Sequence, residues 1–143
     1  MRFTIGIILM FATLASTSRI HRYESRNNID KYTQECGVEL KISPSDLNKY
    51  STPYMPEDAV GQCFRKCMFE KFGILDKDSA FKPEEILKLM SQNNHPLVGD
   101  ADFISRIEKC AKEANLIENA CERALRGAKC FNSESMKNKK IES

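Results

Sequence analysis

Six cysteines and two histidines are the side chains in this sequence with the clearest potential for disulfide formation, metal binding or acid–base catalysis. Zinc sites usually combine two close pairs of cysteine or histidine ligands. Cys63 and Cys67 form one such pair, with three residues between them. The other cysteines are widely spaced, at Cys36, Cys110, Cys121 and Cys130. We therefore predict that the protein holds no metal and no other cofactor.

The two histidines offer little for catalysis. His21 lies near the N-terminus of the expected mature chain, and His95 is followed by a proline in a predicted loop. Neither has a nucleophile close to it in the sequence, and disulfides would consume the thiols. We expect that the protein is not an enzyme. Because histidine responds to acidic pH, His95 is the candidate for a pH sensor, with a plain loop residue as the alternative.

The N-terminal sequence is typical of a secretory signal peptide. Met1 and Arg2 precede an apolar run over residues 3–14, and small residues follow over 15–18. The apolar run is too short to span a bilayer. We predict cleavage after Ser18, which leaves residues 19–143 as a single secreted domain with a polar, mobile tail from about residue 132.

An even number of cysteines in a secreted chain indicates disulfides. Six cysteines allow roughly 15 sets of three bridges, and about 12 remain if Cys63 and Cys67 do not bond to each other. That exclusion rests on residues 56–73, which we predict to be one helix with Pro56 in its first turn and Gly73 as its stop. Cys63 and Cys67 lie one above the other on its apolar stripe, a poor geometry for a mutual bond. Each therefore needs a partner elsewhere, which the residues alone do not identify.

Other segments also carry helical patterns and helix-start signals. A weak pattern covers residues 23–36, and Pro83 begins a short helix with acidic residues in its first turn. Ser43, Asp100 and Asn119 are the predicted N-caps of three more helices. We find no convincing alternating strand. The prediction is an all-α fold of about six short helices, stapled by three disulfides around an internal apolar pocket.

Charge and hydropathy together exclude two classes of partner. The chain has 22 Lys and Arg residues against 20 Asp and Glu residues, and both signs are spread throughout. No face is basic enough for nucleic acid, and no second hydrophobic span follows the signal peptide. We expect no nucleic acid partner and no membrane insertion.

Methionine, phenylalanine and aliphatic side chains recur on the predicted helices, and such side chains adapt to irregular cavities. A plain core is the alternative for each of them. Tyr32, Tyr50 and Tyr54 are the candidates to hydrogen-bond a ligand alcohol, aldehyde or ester. We predict a pocket for a small apolar ligand, lined by Tyr54, Phe64, Met68, Phe69, Phe72, Ile74, Phe81, Leu87, Met90, Phe103, Ile107, Ala111 and Phe131.

The cysteine spacing resembles the six-cysteine signature of insect odorant-binding proteins, the general odorant- and pheromone-binding family. The most specific intervals of that signature are three residues between the second and third cysteines and eight between the fifth and sixth. Both are met, by Cys63 with Cys67 and by Cys121 with Cys130. The signal peptide, six helical segments and the ending Ala-Lys-Cys-Phe over residues 128–131 agree, so the resemblance covers nearly the whole mature chain.

The resemblance implies the pairing Cys36–Cys67, Cys63–Cys121 and Cys110–Cys130. It implies a secreted carrier of odorant, pheromone or lipid-like molecules, without catalysis, in sensillum lymph or another body fluid. The implied partners are a small apolar ligand and an odorant receptor on a sensory membrane, and we expect a monomer or a weak dimer. Because the tail is polar, we favour ligand release by opening of the loop near His95 over insertion of the tail.

Two alternatives stay open. The first is a non-olfactory carrier in saliva, reproductive fluid or haemolymph. The second is a secreted interaction module whose helices fill its core and whose surface binds a protein partner.

Overall fold

A computed structural model of the chain describes residues 28–52 and 56–137. The chain divides into two compact units, residues 1–31 and 32–143. In the first unit the described residues, 28–31, are helical. The predicted signal peptide over 1–18 and Tyr54 lie outside the described residues.

The described part of the second unit is helical, without a β-strand. An isolated antiparallel bridge between Leu75 and Phe81 is its only extended pairing among the described residues. The prediction of an all-α fold is confirmed. The helices are α1 (residues 32–39), α2 (Pro44–Tyr50), α3 (Ala59–Lys71), α4 (Pro83–Gln92), α5 (Ala101–Ala114) and α6 (Ala120–Lys137).

Side-chain caps explain where several helices begin. The Ser43 hydroxyl accepts from the backbone N–H of Asp46, the Asp100 carboxylate from that of Phe103, and the Asn119 amide oxygen from those of Cys121 and Glu122. These three predicted caps are confirmed.

Helix α3 begins later than predicted. Its N-cap is Asp58, whose carboxylate accepts from the N–H of Gly61 at 2.7 Å. Pro56 therefore lies before the helix, where its carbonyl accepts from Arg65 Nη1 at 3.0 Å. The predicted stop is confirmed, because Gly73 adopts a φ of 74°, a left-handed conformation that glycine accommodates without a steric penalty.

The predicted mobile tail from about residue 132 is wrong for residues 132–137, which continue α6. The prediction weighed the polar composition of this segment and missed that Phe131 and Glu134 fall on one face of a continuing helix. Both residues are buried. Packing of that face against the rest of the protein keeps the last turns of α6 helical.

Three disulfides join the helices, and the pairing implied by the resemblance is confirmed. Cys36 bonds to Cys67, Cys63 to Cys121 and Cys110 to Cys130, with Cα atoms 5.8, 4.5 and 5.7 Å apart. The bonded residues are 31, 58 and 20 positions apart in sequence. In the chain-entropy model, loops of this size correspond to about 3–4 kcal/mol of stabilisation for each bridge.

Buried apolar residues form two clusters. The α1–α3 cluster consists of Cys36, Leu47, Phe64 and Cys67, with Leu40, Ile42, Tyr50 and Met68 packed against it. The main cluster lies among α3, α4, α5, α6 and the loop 73–82. Its members are Ile74, Leu75, Phe81, Ile86, Phe103, Ile107, Cys110, Ala111, Ala114 and Phe131, with Phe69, Phe72, Leu87, Leu89, Met90, Leu97 and Cys130 packed against it.

Gly127 on α6 touches the main cluster, because a methyl group there would lie 2.3 Å from Phe81 Cε2 and 2.4 Å from Cζ. We expect Gly127→Ala to lower the free energy of unfolding by about 1–2 kcal/mol. The enclosed ring places the overpacking cost near the upper end of about 1–3 kcal/mol, and the helix propensity of alanine offsets about 1 kcal/mol. Urea unfolding with the disulfides intact measures the change. Gly99→Ala is the control, because a methyl group there would meet no atom within 4 Å beyond its own chain neighbours, and equal stability of the two variants would contradict the prediction.

Candidate functional site

The structure brings most of the predicted ligand-binding residues together. Phe64 and Met68 belong instead to the α1–α3 cluster, and Tyr54 lies outside the described residues. The others all belong to the main cluster or pack against it: Phe69, Phe72, Ile74, Phe81, Leu87, Met90, Phe103, Ile107, Ala111 and Phe131. The main cluster is therefore the candidate binding site.

Two of the three predicted tyrosines, Tyr32 and Tyr50, lie beside aromatic rings. Tyr32 contacts Phe72 edge-on, with centroids 5.1 Å apart, and Tyr50 lies 5.9 Å from Phe64. Tyr32 is thus at the margin of the main cluster, whereas the Tyr50 hydroxyl donates to Asp58 at 3.4 Å. Of the two, Tyr32 is the one placed near the candidate site.

Phe81 is the aromatic centre of the main cluster. Its ring lies 5.1 Å from Phe131 in an edge-on arrangement and 5.8 Å from Phe69 in a tilted one. Aromatic pairs in such geometries add roughly 0.5–1.5 kcal/mol beyond their buried area. The site is therefore built around a residue from a loop rather than from a helix.

A hydrogen-bonded turn presents Phe81 to the cluster. The Asp76 carboxylate accepts from the N–H groups of Ala80 at 2.9 Å and Asp78 at 2.8 Å, and these bonds lower the pKa of Asp76 below its ordinary value. Arg123 of α6 donates to the carbonyls of Asp78 and Ser79. The turn is thus closed from within and attached to α6.

Asn115, at the end of α5, holds the backbone of Phe81 through both polar groups. Its amide oxygen accepts from the Phe81 N–H at 2.7 Å, and its amide nitrogen donates to the Phe81 carbonyl at 3.2 Å. Sequence reasoning missed this residue, because a polar side chain just after a predicted helix gives no signal for a contact 34 residues away.

His95 lies in the loop between α4 and α5, against the ring of Phe103. The two rings stack with centroids 5.4 Å apart and planes inclined by 11°. His95 Nδ1 accepts a long hydrogen bond, 3.4 Å, from the Leu97 N–H. The predicted pH sensor therefore contacts a fully buried member of the main cluster.

Two charged residues that sequence reasoning missed lie at the edge of the main cluster. Arg106 on α5 places its guanidinium 5.9 Å from the centroid of the Phe103 ring. Its Nε lies 2.9 Å from Oε2 of the buried Glu134 on α6. Only the 3–4 spacing of Ala124, Gly127, Phe131 and Glu134 could have signalled that Glu134 faces inward.

A separate cavity of about 300 Å³ lies between α5 and α6. Cys110, Ala114 and Cys130 connect it to the main cluster, and none of the predicted ligand-binding residues lines it. Its other lining residues are Glu113, Ile117, Glu122 and Arg126. It is thus distinct from the predicted pocket.

Two further properties concern the described residues only. No group of three or more His, Cys, Asp or Glu side chains within them could hold a metal ion. None of their helices is both long and apolar enough to cross a membrane.

Comparison with known proteins finds the same family by sequence profile and by individual relatives. The sequence profile of the PBP/GOBP family matches residues 20–134. General odorant-binding protein 99a of Drosophila melanogaster is 34% identical over 113 residues, which cover 79% of this chain and 78% of that protein. Odorant-binding protein 22 of Aedes aegypti is 25% identical over 90% of each chain, and general odorant-binding protein 2 of Antheraea pernyi is 24% identical over 92% of this chain and 87% of its own. No solved structure matches significantly.

The contact between Asn115 and Phe81 predicts a stability effect. Asn115→Ala leaves a partly buried N–H and carbonyl without their partner, so we expect the free energy of unfolding to fall by roughly 1–3 kcal/mol. The control is Asn93→Ala, whose amide donates to Leu89 O at the exposed end of α4. Urea unfolding should show the larger loss for Asn115, and equal losses would mean that this contact does not hold the loop.

Proposed function

The chain belongs to the PBP/GOBP family, and on this premise we propose that it carries odorant, pheromone or lipid-like molecules through an extracellular fluid. Members of the family are binding proteins that carry small hydrophobic ligands, and the chain is not an enzyme. The observation that carries the proposal is the main cluster, in which ten of the residues predicted to bind a ligand come together.

The chemistry of the main cluster suits an apolar ligand. Its aromatic rings and Met90 offer adaptable apolar surface, and the Cys110–Cys130 bridge joins two of the helices around it. A ligand that buries about 200–300 Å² of apolar surface would gain about 5–7 kcal/mol before the cost of ordering. Micromolar affinity is the corresponding expectation.

The finer parts of the proposal concern location and partners. We propose secretion after cleavage of residues 1–18, a monomer or weak dimer, and delivery to an odorant receptor on a sensory membrane. A carrier in saliva, reproductive fluid or haemolymph would use the same site without that receptor. The cysteine pairing supports secretion, because disulfides persist in oxidising compartments.

If the ligand binds in the main cluster, truncating a side chain there should change the length of ligand that the protein prefers. Displacement of a fluorescent naphthylamine probe by aliphatic alcohols of increasing length measures the preferred chain. We expect Ile107→Ala to shift that preference to alcohols longer by about one to three carbons, because it removes three carbons from a fully buried position in the main cluster. Leu47→Ala, in the α1–α3 cluster, should leave the preference unchanged.

These two variants form a matched pair, since each truncates a buried aliphatic side chain and should cost roughly 2–5 kcal/mol of stability. If the preferred alcohol length shifts in Leu47→Ala but not in Ile107→Ala, the ligand binds in the α1–α3 cluster and the proposed site is wrong. Absence of saturable binding by the unmodified, oxidised protein would favour the interaction module with a filled core.

We also propose that acid weakens ligand binding through His95. A protonated Nδ1 cannot accept the Leu97 N–H, so protonation would loosen the loop beside Phe103. His95→Phe keeps an aromatic ring there and cannot titrate. We expect acidification to lower the affinity for the probe several-fold in the original chain but not in this variant. His21→Phe is the control. If the acid response is lost in His21→Phe and kept in His95→Phe, His95 is not the pH sensor.

A further inference from the structure

Helix α6 carries a buried carboxylate at the edge of the main cluster. Glu134 is only 9% exposed, and Phe131, three residues earlier, belongs to that cluster. Glu134 Oε1 is paired with Lys137, whose side chain is 60% exposed. The other oxygen, Oε2, is paired with Arg106 of α5. The two oxygens of Glu134 therefore differ: Oε1 pairs with an exposed lysine, whereas Oε2 is buried against Arg106.

The pair between Arg106 and Glu134 is close but incompletely bonded. Nε and Oε2 lie 2.9 Å apart, yet among the described residues these two atoms are buried without an aligned hydrogen bond. A buried polar atom without a hydrogen bond costs roughly 1–3 kcal/mol. The two atoms therefore offer one donor and one acceptor, side by side, to a group that can satisfy both.

Both charged residues are positioned one helical turn beyond rings of the main cluster. Arg106 follows Phe103 by three positions on α5, and Glu134 follows Phe131 by three on α6, so each pair shares a helix face. The Arg106 guanidinium also lies over the Phe103 ring. A ligand whose hydrocarbon chain entered the main cluster beside these two buried rings would bring its terminal group to the charged pair.

We propose that Arg106 and Glu134 form the head-group site of the carrier and select ligands that end in a hydroxyl. The inference rests on the proposed function and names its ligand class. A hydroxyl donates to Glu134 Oε2 and accepts from the Arg106 Nε–H, whereas an ether, ester or aldehyde can only accept. An ionised carboxylate ligand likewise has no O–H with which to donate to Glu134 Oε2.

The test compares 1-dodecanol with its methyl ether, which keeps the chain and the oxygen acceptor but lacks the O–H. Each compound displaces the naphthylamine probe from the oxidised protein. We expect the alcohol to bind about tenfold more tightly, the value for one hydrogen bond to a charged group. Equal affinity for the two compounds would overturn the inference and leave the proposed function standing. No saturable binding of either compound would refute the proposed function itself.

The double variant Arg106→Met/Glu134→Met removes the donor and the acceptor together. Replacing a buried ion pair by apolar side chains of similar volume is often neutral for stability, so we expect a folded protein that binds both compounds alike, with affinity for the ether retained. The control is Glu85→Met/Lys88→Met, which removes an exposed ion pair on α4 and should keep the alcohol preference. If the double variant weakens both compounds equally, the pair is structural and the inference is wrong.

A milder variant, Glu134→Gln, keeps the side-chain shape and removes the charge. Because hydrogen bonds to charged acceptors are roughly twice as strong as neutral ones, we expect affinity for the alcohol to fall several-fold with affinity for the ether unchanged. An unchanged alcohol preference would contradict the assigned role of Glu134. If the double variant fails to fold, this variant and the comparison of the two compounds with the original chain still decide the question.

Discussion

The structure depends on the position of two cysteines one helical turn apart on α3. Side chains four residues apart on a helix point in the same direction along its axis, so Cys63 and Cys67 cannot conveniently bond to each other and instead bond to α6 and α1. Helix α3 is thereby attached to two different elements. One side of it, with Phe64, packs in the α1–α3 cluster, while Phe69 and Phe72 near its end reach the main cluster.

The elements around the main cluster are fixed by different numbers of hydrogen bonds and covalent bonds. On the side of α5 and α6, the loop that carries Phe81 is fixed by Asn115 and Arg123, and a disulfide joins the two helices. On the side of α4, the N-cap residue Lys82 makes no side-chain capping bond, and Ile86 is the one buried residue of the helix. If a ligand enters the cluster, the less constrained side is α4 and the loop around His95 that follows it.

Local signals in the sequence predicted much of this fold. Ser43, Asp100 and Asn119 cap helices as expected because capping depends on residues within one turn, and Gly73 ends α3 for the same reason. The α5 members of the main cluster, such as Phe103, Ile107 and Ala111, also followed from helical spacing. What could not be predicted is how the apolar set divides between the two clusters, since Phe64 and Phe69 lie about 140° apart around one helix and only tertiary packing decides which partners each side meets.

The polar part of the site was less predictable still. Composition made the segment after Phe131 look solvated, although Glu134 continues a buried face, and one of its two ion-pair partners, Arg106, lies on another helix.

The intervals between cysteines follow from helix geometry. Each residue advances about 100° around a helix, so Cys121 and Cys130, nine positions apart on α6, point to opposite sides of it, and one bonds to α3 while the other bonds to α5. An insertion of one residue between them would rotate one sulfur away from its partner by about 100°, and the same holds between Cys63 and Cys67. Loops tolerate changes in length far better. Relatives that keep these bridges should therefore preserve the two intervals inside helices and vary in the intervals that cross loops.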